Sequence, residues 1–293
     1  MAMMTFITTC KNRLVHLKET LPLMVKQSFS EVIVVDYGCE QGTSNWVAEA
    51  APDAKVVRVL DDPRFSLARA RNIGAMNAGG ELLCFIDADM RLEMDLGKWA
   101  QENVQPGCFY VSGQPKVFEL CGFLICSRSM FEQAGGYDEA YRGWGGEDGD
   151  LLERLEMAGH VRSPLPEEAL TAITHGDDLR QFGKNDPEGF ATKNHALALQ
   201  QCYKLMKFDI IRLNGRQPDI DVRKKLHSSI RTAYGNAVAN GSKDFTITLN
   251  VPPRHVDNRF SHSQRKLVYR IPITHSRLAA PKRRPAGSKN DLH

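Results

Sequence analysis

Five apolar residues run directly into an Asp-Ala-Asp triplet in the segment Leu82-Leu83-Cys84-Phe85-Ile86-Asp87-Ala88-Asp89. An unbroken apolar run of this length predicts a strand that is buried on both faces of a sheet. Two carboxylates separated by one residue can hold a hard divalent cation against a diphosphate. Aspartate is also common in the turns that end strands, so the triplet alone leaves a metal site and a plain turn both open.

The chain before this segment alternates short apolar runs with helical periodicity. Strands are predicted at residues 6–9, 32–35 and 55–59, and helices at about 14–27 and 67–78. This alternation predicts an α/β fold with a mostly parallel central sheet flanked by helices. Ligands of such sheets bind beyond the carboxyl ends of the strands. Asp36 ends the second apolar run as Asp87 ends the fourth, so we expect both in one crevice.

The pattern after Asp89 is less regular. Strands are predicted at residues 109–117, 121–126 and 245–251, and helices at 127–134, 151–158, within 186–207 and at 222–238. Acidic residues at the start of the 151–158 helix are favoured by the helix dipole.

Composition is that of an ordinary globular protein, with 42% hydrophobic and 25% charged residues in 293. No apolar run approaches the roughly 18 residues that cross a bilayer, and the first residues lack the features of a signal peptide. We therefore expect a cytoplasmic protein, with peripheral attachment to the inner membrane face as an alternative. The seven cysteines are odd in number and form no CxxC pair, which argues against a disulfide framework and a zinc site.

Charge is distributed unevenly along the chain. Residues 203–293 contain 19 Lys and Arg against 6 Asp and Glu, whereas residues 1–202 contain 19 against 29. This asymmetry predicts a first domain at 1–202 and a basic C-terminal extension at 203–293, with a flexible tail from about residue 277. A basic surface of this kind suits a polyanionic partner, although a solvated tail explains the last residues equally well.

Two further segments contain residues that could bind a ligand or take part in catalysis. The first is Trp144-Gly145-Gly146-Glu147-Asp148-Gly149-Asp150, in which glycines allow close approach to a ligand and three acids lie within four residues. Such acids repel one another unless a cation or a function compensates, but an Asp-capped helix after a glycine turn is the simpler alternative. The second is His175, which is a metal ligand only if the chain brings it to Asp89.

Four blocks in this order resemble a known family. They are Asn12-Arg13-Leu14-Val15-His16-Leu17, the helix Phe65-Ser66-Leu67-Ala68-Arg69-Ala70-Arg71-Asn72-Ile73-Gly74, the triplet Asp87-Ala88-Asp89, and the glycine-rich block from Gly143 to Asp150. Over about residues 4–180 the chain resembles GT-A fold glycosyltransferases of the family 2 superfamily. Its glycine-rich block is similar to that of the β-1,4-galactosyltransferases, and the chain also resembles bacterial polysaccharide-chain synthases.

The resemblance implies a role for each matching residue. It implies a donor-nucleotide pocket of Thr9, Arg13, Asp36, Phe65 and Asp87, with Arg71 and Asn72 near the donor sugar or diphosphate. Asp89 and His175 would hold Mn2+ or Mg2+, and Gly122, Trp144, Gly146 and Glu147 would contact the donor or acceptor sugar. Asp148 would be the general base. The implied activity is inverting, metal-dependent transfer of a hexose or N-acetylhexosamine from a UDP-sugar to an acceptor hydroxyl.

Four residues depart from the family pattern. Tyr37 replaces the second acid of a D-D-G sequence, Gly149 replaces an acid after the base, Ala172 replaces a Met metal ligand, and Glu119 occupies a position that helps to select the sugar. The galactose specificity of the relatives is therefore not transferred to this chain.

Other functions remain open at this point. A sugar-phosphate nucleotidylyltransferase needs a glycine-rich loop after its first strand, and residues 8–13 contain no glycine. A catalytically inactive nucleotide-sugar binder is disfavoured because Asp89, Asp148 and His175 are all present. The expected acceptor is a glycan, and the alternatives are a nucleic acid, such as a hydroxylated DNA base, a protein or a small molecule. A nucleic-acid-binding protein without enzymatic activity is the alternative from another class.

The composition of two segments also suggests movement. Residues 141–146 and 173–187 are rich in Gly, Asp and Asn. We expect both to be mobile without donor and to close when UDP and Mn2+ bind.

Overall fold

The computed structural model describes residues 3–62, 64–174, 193–251 and 265–273. The chain divides into two compact units, Met1–Ser228 and Ser229–His293. Helix α7 (Lys193–Asn214) runs without a break through the domain boundary predicted at residue 202. The functional division into a catalytic domain and a separate extension stays a prediction.

A seven-stranded mixed sheet forms the centre of the first unit. Its strands are β1 (Met4–Cys10), β2 (Ser30–Asp36), β3 (Lys55–Arg58), β4 (Leu82–Phe85), β6 (Cys108–Val111), β7 (Leu124–Ser127) and β8 (Val161–Pro164). They are ordered β3-β2-β1-β4-β7-β6-β8. The first four are mutually parallel, β7 runs antiparallel to both β4 and β6, and β6 and β8 are parallel. The predicted α/β class with a mostly parallel sheet is confirmed.

Helices cover both faces of this sheet. They are α1 (Leu14–Met24), α2 (Thr43–Ala50), α3 (Leu67–Asn77), α4 (Leu96–Asn103), α5 (Arg128–Gln133) and α6 (Glu147–Met157). Successive residues of a strand point to opposite faces. Phe6 accordingly packs in one core cluster with Leu17 of α1, whereas Ile7 packs in another with Leu151 of α6.

One predicted strand proved too long. The predicted strand at 109–117 ends at Val111, and a 3-10 turn at Phe118–Leu120 precedes β7. Gly113 and Pro115 lie in the lost part, and both residues disfavour a regular strand.

The remaining elements are short strands and the C-terminal helices. Strands β5 (Met90–Leu92) and β9 (Leu170–Ala172) form a separate antiparallel pair. Helix α8 (Ile220–Ala239) continues from the first unit into the second, which also contains the hairpin of β10 (Asp244–Val251) and β11 (Arg265–Pro272). In the described part of the chain, no helix has the length and apolar character that spanning a membrane requires.

Candidate active site

A cleft of about 670 Å3 opens at the carboxyl ends of the parallel strands. Ten of the predicted site residues line it: Thr9, Arg13, Phe65, Asp87, Asp89, Gly122, Trp144, Gly146, Glu147 and Asp148. The chain reaches this edge directly after β1 and β4 and again at the start of α6, which is why residues so distant in sequence meet there.

Arg71 lies beneath the floor of the cleft, with only 1% of its side chain exposed. Its Nη1 donates a hydrogen bond to Asp148 Oδ1, and its Nη2 donates to Asp87 Oδ1 at 2.8 Å and to the Gly122 carbonyl at 3.3 Å. The guanidinium also lies 5.0 Å from the centre of the Tyr137 ring. One buried cation therefore joins Asp148 to the Asp-Ala-Asp segment.

Asp148 lies in the first turn of α6 with 25% of its side chain exposed. Burial raises the pKa of its carboxyl above the usual range, Arg71 opposes that shift, and Asp87 adds to it. Burial together with the neighbouring Asp148 also raises the pKa of Glu147 to about 8. The start of α6 thus holds two carboxyls with raised pKa values, a pattern that is frequent at catalytic sites.

The buried carboxyl of Glu147 leads to a prediction about stability. Its folded-state pKa of about 8 exceeds its ordinary value of 4.5, so the folded protein holds more protons than the unfolded chain between these values. Stability therefore falls as pH rises through this window. Glutamine has no carboxyl to ionise, so Glu147→Gln should melt at a higher temperature than wild type at pH 8. The increase should be roughly 2–4 °C for each kcal/mol by which the variant is the more stable. At pH 5 the difference should be smaller.

The matched control for this prediction is Glu156→Gln on the same helix. Glu156 is 44% exposed and pairs with Arg162 at 2.9 Å, so its variant should show no such pH dependence. A Glu147→Gln variant that melts at the wild-type temperature at pH 8 would contradict the buried, protonated state of Glu147.

Asp89 is a largely buried carboxylate beside Arg13. Arg13 Nη1 lies 2.5 Å from Asp89 Oδ2, and the Asp89 carbonyl accepts a hydrogen bond from the Ile173 amide at 2.8 Å. The predicted metal ligand His175 lies outside the described residues. Within the described ranges, three or more His, Cys, Asp or Glu side chains do not gather into a group that could hold a metal ion.

Three predicted residues lie away from the cleft wall. Asp36 accepts hydrogen bonds from the Cys39 amide at 2.8 Å and from Ser44 Oγ, so its carboxylate orders the loop after β2. Asn72 bonds both the amide and the carbonyl of Tyr137, at 2.8 and 2.9 Å. Arg71 is the third, and it contacts the cleft through Asp87, Asp148 and the Gly122 carbonyl. Their predicted contacts with the donor stay predictions.

The residues that depart from the family pattern also have defined places. The Tyr37 hydroxyl donates to Asp62 Oδ2 at 2.8 Å. The Gly149 carbonyl accepts from Lys204 Nζ at 2.9 Å. Ala172 pairs with Met90 beside the acidic triplet, and Glu119 lines the cleft.

Two glycines are required by the geometry of the cleft. A Cβ atom at Gly122 would lie 2.6 Å from Asp87 Oδ2 and 2.7 Å from Arg71 Nη2. Gly146 caps α6 with a φ of 98°, and a Cβ there would lie 2.7 Å from the Tyr141 ring. The left-handed conformation and the close contacts explain why the loop before α6 is rich in glycine.

A buried ionic cluster between α6 and α7 was not predicted from the sequence. Asp138, Asp150 and Lys207 are completely buried, and Lys207 bonds both carboxylates. Arg223 also pairs with Asp138, while Lys204 and Arg212 pair with Glu153. Part of the positive charge after residue 203 therefore neutralises acids of the first unit. Those residues do not form the free basic surface that the composition suggested.

Comparisons with known proteins agree with this architecture. Residues 5–135 match the family described as glycosyl transferase family 2, and residues 110–175 match the N-terminal domain of galactosyltransferase. Human beta-1,4-galactosyltransferase 4 is 31% identical over 123 residues, which cover 38% of this chain and 36% of the relative. The aligned region thus spans about a third of that relative's length.

Solved structures resemble the chain over a larger part of its length. A mannosyltransferase from Pyrobaculum calidifontis, in complex with GDP-Man and Mn2+, covers 82% of this chain and 76% of its own, with 20% identity and a TM-score of 0.52. Residues 1–349 of S. aureus TarS, in complex with UDP, cover 82% and 74%, with 14% identity and a TM-score of 0.54. At these identities the likeness concerns the fold.

The mixed sheet and the acidic cleft at its carboxyl ends are those of a GT-A fold protein. Residues 5–135 are of the glycosyltransferase family 2 type, and residues 110–175, which include the start of α6, are of the galactosyltransferase type.

Proposed function

We propose that this protein is an inverting, metal-dependent hexosyltransferase that transfers a hexose or N-acetylhexosamine from a UDP-sugar to a glycan hydroxyl. The observation that carries the proposal is the Arg71 bridge, which holds Asp148 of α6 against Asp87 of the acidic triplet. The bridge places two features in one cleft. They are a candidate base and a pair of carboxylates that can hold a divalent cation against a nucleoside diphosphate. The similarity to S. aureus TarS, solved in complex with UDP-GlcNAc, supports a UDP-sugar donor.

Asp148 acts as the general base in this proposal. Its carboxylate removes the proton from the acceptor hydroxyl as that oxygen attacks the anomeric carbon and the bond to UDP breaks on the opposite side. Arg71 bonds Oδ1, so Oδ2 is the oxygen that takes the proton. Burial raises the pKa of Asp148, and a base whose pKa approaches the working pH transfers protons efficiently.

A divalent cation fits the chemistry of the acidic triplet. Carboxylate oxygens such as those of Asp89 are hard ligands that Mn2+ and Mg2+ accept. We propose that Asp89 and His175 hold the ion, which supplies charge neutralisation to the leaving diphosphate. The Ile173 amide, two residues before His175, lies against the Asp89 carbonyl, which supports this pairing. Arg13 pairs with Asp89 and lines the same cleft, so its guanidinium is a further group suited to a phosphate.

Different residues of the cleft lining are assigned to the nucleotide and to the sugars. We assign Thr9, Arg13, Phe65 and Asp87 to the nucleotide and Gly122, Trp144, Gly146 and Glu147 to the sugars, with Asp36 and Asn72 supporting the loops. Trp144 lies 5.7 Å, centre to centre, from the exposed ring of Phe118. Two such rings provide an apolar platform on which the face of a sugar ring can stack.

Helix α7 supports a glycan acceptor over a nucleic acid. It contributes Gln200, Gln201, Lys204, Leu205 and Arg212 to the cleft. Lys204 and Arg212 are both paired with Glu153, and Arg212 also lies 3.3 Å from Asp209. The described wall is therefore close to charge balance, whereas binding to a phosphate backbone depends on uncompensated Lys and Arg. A cytoplasmic location is part of the same proposal.

A UDP-release assay across a panel of UDP-sugars tests this function, with each donor measured in Mn2+ and in EDTA. We expect slow, Mn2+-dependent release from one donor even without an acceptor, because water can replace the hydroxyl. Adding neutral oligosaccharides as acceptors should accelerate release from that donor. Release that is equally fast in EDTA would contradict the metal-dependent mechanism.

A further inference from the structure

Two carboxylates behind the cleft have lost all contact with solvent. Asp150 lies on α6, two residues after Asp148, and Asp138 lies before the glycine-rich loop. Both side chains are 0% exposed. Burying an ionised carboxylate is strongly unfavourable unless cations and hydrogen bonds compensate it. Interactions with Lys207 and Arg223 outweigh burial and lower the pKa of Asp138, so this carboxylate is ionised at neutral pH.

Lys207 of α7 is the cation that joins the two carboxylates. Its Nζ lies 2.8 Å from Asp138 Oδ2 and also bonds Asp150 Oδ1. Arg154 Nε donates a hydrogen bond to Asp150 Oδ2 at 2.9 Å, and Arg223 Nη1 donates one to Asp138 Oδ1. With its side chain 0% exposed, Lys207 has no access to a ligand in the cleft. Its position is suited to holding the carboxylates of Asp138 and Asp150 in place.

The same cluster fixes both ends of the loop that carries Trp144. The Tyr141 hydroxyl, at the start of the loop, bonds Asp150 Oδ1 at 3.2 Å. Gln200 of α7 donates to the Arg142 carbonyl at 2.6 Å, and its amide oxygen lies 3.0 Å from His227 Nε2. Residues 141–150 are therefore attached to α7 before the glycine turn, at Arg142, and after it, at Asp150.

Helix geometry connects this attachment to the proposed base. Residues two positions apart on an α-helix point roughly 200° apart. With Asp150 held inwards by Lys207, Asp148 faces the cleft. A rotation of the first turn of α6 would move both carboxylates together. A displacement of about 1 Å at a reacting group is enough to reduce a rate by roughly a hundredfold.

We infer that Lys207 is a positioning residue that holds Asp148 in the cleft. Residues 193–227, which lie beyond both matched family segments, therefore complete the active site. This inference rests on the proposed function, because it assigns to Asp148 the role of base. It predicts that the segment after residue 193 cannot be exchanged between relatives as an independent acceptor module.

The test uses the double variant Lys207→Met/Asp150→Asn in the full chain. It removes one positive and one negative charge, so the net charge of the cluster is retained. We expect near-wild-type melting and UDP affinity in Mn2+. Hydrogen exchange of the 141–150 amides should be accelerated, and turnover of the reactive UDP-sugar should fall roughly 10–100-fold. Lys224→Met, at an exposed position of α8, is the matched control and should behave as wild type.

The two readouts separate this inference from the proposed function. Unchanged exchange of residues 141–150 in the double variant would overturn the positioning role, whether or not a donor has been found. If hydrogen exchange of residues 141–150 is accelerated in the double variant but its turnover per folded molecule equals that of wild type, then Lys207 does not position Asp148 for catalysis. If the double variant does not fold, Tyr141→Phe removes only the hydroxyl bond to Asp150 and should shift exchange and turnover in the same directions. Wild-type protein that turns over no UDP-sugar would count against the proposed function alone.

Discussion

Asp148→Asn is expected to reduce sugar transfer by roughly 10²–10⁴-fold, the range for loss of a general base. Asparagine keeps the shape of the side chain and can still accept a hydrogen bond from Arg71 through its amide oxygen. It has no carboxylate to take the acceptor proton. Because the proposed base acts only in the transition state, the loss should appear in kcat, with little change in the KM of the donor.

The measurement is steady-state UDP release, combined with calorimetric titration of UDP in Mn2+. Glu156→Gln, an exposed change on the same helix, is the control and should retain wild-type kinetics. A variant that loses activity together with UDP affinity would assign Asp148 to donor binding. An Asp148→Asn enzyme with the wild-type kcat would exclude it as the base.

Arg71→Met is expected to lower both stability and activity. Asp87 and Asp148 would lose the cation that they share, and removing one partner of a fully buried ion pair costs about 3–5 kcal/mol. These carboxylates are 29% and 25% exposed, and solvent reduces the effect to about 2–3 kcal/mol. Without the guanidinium, the pKa of Asp148 should rise further. The acid limb of the rate profile should therefore move to higher pH.

Denaturant unfolding and the pH dependence of kcat check these two effects. Arg71→Lys retains the charge but not the fork that bonds Asp148, Asp87 and the Gly122 carbonyl together. We therefore expect Arg71→Lys to recover part of the stability and little of the rate. A pH profile that stays in place in Arg71→Met would contradict the electrostatic control of Asp148.

The sequence predicts the first half of the fold well because its signals are local. Apolar runs define β1, β2 and β4, and glycine stops α3 at Gly79-Gly80. The carboxyl-end rule then brings Asp87 to the cleft with Thr9 and Arg13. Strands β5, β8 and β9 were missed because each has only three or four residues and lacks the continuous apolar run that identifies β4.

Part of the site could not be predicted, because its contacts join residues far apart in the chain. Arg71 is separated from Asp148 by 77 positions, and Lys207 from Asp138 by 69. In the sequence, Lys207 looks like one more basic residue of a positively charged segment. Only the packing of α7 against α6 shows that it is buried between two carboxylates. Asn72 lies in a recognisable motif, but its bonds to Tyr137 depend on the same tertiary structure.

The proposed metal-dependent site for uridine diphosphate at the acidic triplet can be tested by calorimetric titration of UDP. Wild-type protein would be titrated in Mn2+ and in EDTA, and Asp89→Ala in Mn2+. The proposed site predicts saturable binding of one UDP per chain in Mn2+, with little binding in EDTA or to Asp89→Ala. Equal UDP binding under all three conditions, or none in any of them, would contradict it.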